Sequence, residues 1–78
     1  MIIGTVVSIV EGTFEGFTGV VVGMDYVAPN GRSSAQNIPG TAPVVIKIFG
    51  IPVVVNFPTD CLAVVSKDGT DYKYANHL

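Results

Sequence analysis

The chain has no tryptophan, one cysteine and one histidine among its 78 residues. A lone Cys61 excludes an internal disulfide framework and a cysteine-rich zinc site. The lone His77 stands next to the last residue, where chains fray, so no histidine-based catalytic dyad or metal centre is expected. Charge is scarce as well. Charged residues make up 13%, and four basic against six acidic side chains leave a net charge of −2. A surface that tracks nucleic acid along its whole length needs clustered Lys and Arg, and this balance argues against one. Strong helix formers are few, with leucine only at Leu62 and Leu78. No apolar run approaches the ~18–20 residues of a membrane-spanning helix. Met1-Ile2-Ile3 lacks a basic flank and Gly4 interrupts it, so no signal peptide is expected.

What the chain does have is valine, with isoleucine and phenylalanine. Apolar residues reach 49%, which excludes intrinsic disorder. A chain of this length buries only roughly 60% of its unfolded surface, so it makes one small domain with a dense core. The apolar residues fall in short runs separated by Gly, Pro and Asn, with no 3.6-residue period and no long internal repeat. That pattern predicts an all-β domain with strands near 5–10, 19–26, 44–49, 53–57 and 62–65. Gly23 suggests a bulge or bend within the second strand. Pro58-Thr59-Asp60 reads as a helical or 3₁₀ turn, since Pro suits a first helical position. Val7, Ile9, Val21, Val45 or Ile46, Val54, and Val64 or Leu62 are the expected core, although the doubled valines leave the facing ambiguous.

One long irregular stretch, 27–42, separates the second and third strands. It holds Pro29-Asn30-Gly31, Arg32-Ser33-Ser34 and Ile38-Pro39-Gly40, all turn chemistry, and is expected to be the most mobile part of the domain. Residues 67–78 are polar and read as a C-terminal tail, partly docked through Tyr72 and Tyr74. The domain proper is therefore 1–66.

The segment Gly4-Thr5-Val6-Val7-Ser8-Ile9-Val10-Glu11-Gly12-Thr13-Phe14-Glu15-Gly16-Phe17-Thr18-Gly19-Val20-Val21 resembles a KOW motif, with Gly19 at the position of its near-invariant glycine. A second block, Lys47-Ile48-Phe49-Gly50 with Pro52-Val53, is similar to the Ile-Phe-Gly hairpin in the C-terminal KOW domain of NusG-type transcription factors. Together the blocks span residues 4–65 apart from the long loop. The resemblance implies a small five-stranded SH3-like barrel of the KOW type. Gly12, Gly16 and Gly19 are its structural glycines, in or at the end of a loop where a Cβ is expected to clash. The sequence departs from the family at Ile51, where an arginine is common, in its shorter hairpin and in its longer second loop.

The resemblance also implies a site. In NusG-like domains the first-loop aromatic and the hairpin Ile-Phe dock protein partners, including a small-subunit ribosomal protein and a termination factor. By position this nominates Phe14, Ile48 and Phe49, while Phe17 reads as core. Phe14 and Phe49 are expected to be partly exposed and close together at one end of the barrel. Arg32 and Lys47 are candidates for nucleic-acid contact, because ribosomal KOW proteins set basic loops against RNA.

No catalytic residue is assigned. Glu11 and Glu15 lie on a loop, where their spacing defines no acid–base pair. Cys61 follows Asp60, has no basic neighbour to lower its pKa, and reads as a small buried apolar side chain. Gly12-x-x-x-Gly16-x-x-Gly19 lacks the lysine of a phosphate loop and leads into a strand. No metal and no small-molecule cofactor are expected. The expected function is a non-catalytic binding module of the transcription or translation machinery in the cytoplasm. It would act by protein–protein contact with a ribosomal protein or transcription factor, with no membrane role. The alternatives are an RNA- or ribosome-binding module and a small accessory subunit of a larger complex.

Overall fold

The structure is a computed structural model that describes residues 2–28 and 34–66. β-Branched side chains are stiff at χ1 and pack well on a pleated surface, and each valine-rich run forms a strand. These are β1 (Val6–Ile9), β2 (Thr18–Val21), β3 (Thr41–Ile48), β4 (Ile51–Pro58) and β5 (Leu62–Ser66), with a 3₁₀ turn at Thr59–Cys61. All neighbours are antiparallel in one five-stranded sheet, ordered β4-β3-β2-β1-β5. β1 to β4 form a meander, and β5 returns to the far side of β1. The tail 67–78, with Tyr72 and Tyr74, lies outside the described residues.

The strand bounds differ from the sequence expectation for local reasons. β2 stops at Val21 because Gly23 opens a turn, closed by the Tyr26 N–H on the Gly23 carbonyl at 3.0 Å. β3 begins at Thr41 and so contains Pro43. The Val22 N–H donates to the Pro43 carbonyl at 3.0 Å, which turns the polar side of Pro43 toward β2. Its missing N–H therefore falls beyond the last paired residues, Val21 and Val44. Polar backbone directions alternate along a strand, so Ala42, Val44, Ile46 and Ile48 face β4 and bond Phe57, Val55, Val53 and Ile51. Pro52 and Pro58 then face away from β3, and β4 extends through both at no loss of a ladder bond.

The sheet has a core on each face. Val7, Ile9, Val21, Val44, Ile46 and Phe57 form one cluster, edged by Phe14, Phe17, Ile48, Val55 and Leu62. The ring of Phe57, near the end of edge strand β4, reaches that of Phe14 in the β1–β2 loop. The sheet therefore curls around this face. On the other face Val45 and Val54 bury with Val22, Ala28 and Ala35, with Tyr26 packed at the margin. The doubled valines are thus resolved without a choice: Val44, Val45 and Ile46 are all fully buried. Val64 is not core. It lies opposite Val7 but on the outermost strand, and 44% of it is exposed, while Leu62 is half-buried.

Of the stretch 27–42, residues 29–33 lie outside the described residues, and the parts on either side of them are held by the sheet. Its last residues belong to β3, Val27 bridges Ser34, and the Ala35 N–H donates to the Tyr26 carbonyl at 2.9 Å. Ala28 and Ala35 are its anchors, small enough to lie flat against Val45 and Val54. Asn56 fixes the rest, donating from Nδ2 to the Gln36 carbonyl at 2.9 Å and to Thr41 Oγ1 at 3.0 Å.

Gly19 has a steric role. A Cβ built there would sit 2.5 Å from Val44 Cγ1, 2.5 Å from the Val45 carbonyl oxygen and 2.9 Å from Ile46 Cγ2. β2 can approach β3 this closely only without a side chain at that position. Gly12 and Gly16 are different: nothing lies within 4 Å of an added Cβ, so no clash occurs, and their positive φ values of 94° and 92° are what call for glycine.

Two outcomes follow for stability. Gly19→Ala should cost about 1–3 kcal/mol in urea unfolding, the usual range for overpacking a core. Val45→Ala should cost about as much as Val7→Ala, roughly 1–3 kcal/mol, because both faces of the sheet are covered. A loss at Val45 below ~0.5 kcal/mol, typical of surface positions, would show that Val22, Ala28 and Ala35 do not seal the second face.

Candidate functional site

The β3–β4 ladder runs to its last pair, Ile48 with Ile51, which leaves Phe49-Gly50 as a two-residue turn. Both turn residues have positive φ, 51° for Phe49 and 79° for Gly50. That matches a primed hairpin turn, whose right-handed twist suits the flanking strands and whose preferred sequence is Asn-Gly or Asp-Gly. Gly50 fits at no steric penalty. Phe49 does not, since a bulky side chain in left-handed backbone is strained by roughly 1–2 kcal/mol.

Phe49 is also 99% exposed. A ring left in water forgoes about 1.5–3 kcal/mol of burial, so the residue is unfavourable twice over. The flanking isoleucines extend the apolar surface. Ile48 is half-buried at the margin of the core, and Ile51, directly across the ladder, is 50% exposed. Lys47 is exposed beside them, opposite Pro52. Three apolar side chains and one cation therefore gather at the hairpin tip.

Ile51 was noted in the sequence only as a departure from the family pattern. The signal that finds it is positional: across a two-residue turn, the residues before and after the turn are direct neighbours.

Phe14 lies elsewhere in the structure's economy. Its ring meets Phe17 edge-on at 5.6 Å between centroids and Phe57 edge-on at 5.8 Å. The loop is wound tightly around this cluster, with the Glu15 N–H on the Gly12 carbonyl and the Phe17 N–H on the Phe14 carbonyl. Phe14 and Phe17 are both half-buried and close the end of the core. The expected pairing of Phe14 with Phe49 does not occur, because a ring exposed as fully as Phe49 touches no other. Three phenyl groups that can bury together do so, and the fourth is held off by its turn. Arg32, the other nominated cation, lies outside the described residues. Gln36 and Asn37 of the same stretch are exposed, but the Gln36 carbonyl is engaged by Asn56.

Cys61 is half-buried at the 3₁₀ turn, and its Sγ donates to Glu11 Oε1 at 3.5 Å. Desolvation, then the hydrogen bond to Glu11, then the negative charges of Glu11 and Asp60 push the thiol above its ordinary range. All of these favour the neutral thiol, and the thiolate is the nucleophile. Iodoacetamide should therefore alkylate Cys61 more slowly near neutral pH than it does a free cysteine. Glu11→Gln should speed the reaction and move its pH midpoint down, since it removes a negative neighbour. An unchanged profile in that variant would show that Glu11 does not hold the thiol.

The chain matches no protein-family model, no curated protein and no solved structure.

Proposed function

We propose that the chain is a small non-catalytic binding module that grips a protein partner with the tip of its β3–β4 hairpin. The observation that carries this reading is Phe49, an aromatic ring held fully in water in a strained, left-handed turn position. A domain of this size has little stability to spare, so such a residue is best explained by what it does when covered. Ile48 and Ile51 would flank the ring in the complex, and Lys47 would sit at the rim. This is the form of an interface anchor: one large aromatic surrounded by smaller apolar contacts.

The fold reading that goes with it is a KOW-type SH3-like barrel. The meander β1–β4, the 3₁₀ turn, the return of β5 to β1 and the curl that brings Phe57 to Phe14 support it. The proposed setting is the transcription or translation machinery of the cytoplasm, with a ribosomal protein or transcription factor as partner. Phe14, by contrast, has a sufficient role in the core, and the proposed anchor is Phe49 with Ile48 and Ile51.

The test is a capture experiment on the full chain with Phe49→Asn as the comparison. Asparagine tolerates left-handed backbone, so this variant should be as stable as the parent or up to about 1 kcal/mol more so. It should nevertheless lose a partner that the parent retains after nuclease treatment. Binding that instead vanishes with nuclease, weakens steeply with salt, survives Phe49→Asn and is lost in Arg32→Ala would assign the function to RNA contact through the long loop.

A further inference from the structure

We draw no further inference here: the strongest candidate, the surface patch of exposed Ile3 and Met24 at the Gly23 turn, carries nothing because nothing in the structure shows what covers it.

Discussion

β3 is buried on both faces, and the rest of the molecule is arranged around that requirement. Val44 and Ile46 point into one cluster and Val45 into the other, all without measurable exposure. A sheet in so short a chain ordinarily covers one face and leaves the other to water. Here the curled sheet covers the first face with its own strands and the β1–β2 loop, and Val22, Ala28 and Ala35 pack against Val45 and Val54 on the second. Gly19 belongs to the same constraint, because β2 can lie close to β3 only where no Cβ intervenes.

This arrangement accounts for where the molecule leaves apolar groups uncovered. Four phenylalanines are present. Phe14, Phe17 and Phe57 pack edge to face and close one end of the inner cluster. Phe49 is kept from joining them by the hairpin register, which the eight paired residues of β3 and β4 fix along their whole length. The turn position that register leaves to Phe49 is one that phenylalanine fills poorly. A local rule broken at a position with no compensating contact is the kind of feature that marks a functional surface rather than a structural one.

The edges of the sheet carry a second contrast of the same kind. Pro52 and Pro58 protect β4 because their missing donors fall on its outer side. The same residues one position along the strand would have broken the β3–β4 ladder. β5 is short and held at its start by the 3₁₀ turn, and no strand among the described residues pairs with its outer side.

The sequence by itself determined the class and the order of the elements. Valine-rich runs between Gly, Pro and Asn specify short strands, and Pro58 specifies the turn before β5; Gly19 was marked by its resemblance to a motif glycine, with either a positive φ or a close neighbour expected there. These are local or pairwise effects that a run of residues expresses wherever it is placed. The sequence also singled out Ile48 and Phe49, through the likeness of Lys47-Ile48-Phe49-Gly50 to the hairpin of a known family. Tertiary structure alone decided the rest. Doubled valines carry no information about facing, so only the covering of both faces shows that Val44, Val45 and Ile46 are equally core. Polar composition gave no sign that Ala28 and Ala35, on either side of the undescribed 29–33, are buried, since small residues show their packing role only against the surface they touch. Phe14 and Phe49 looked alike in sequence. One could reach the end of the core and the other could not, and that difference is fixed by register and curl, which no single segment contains.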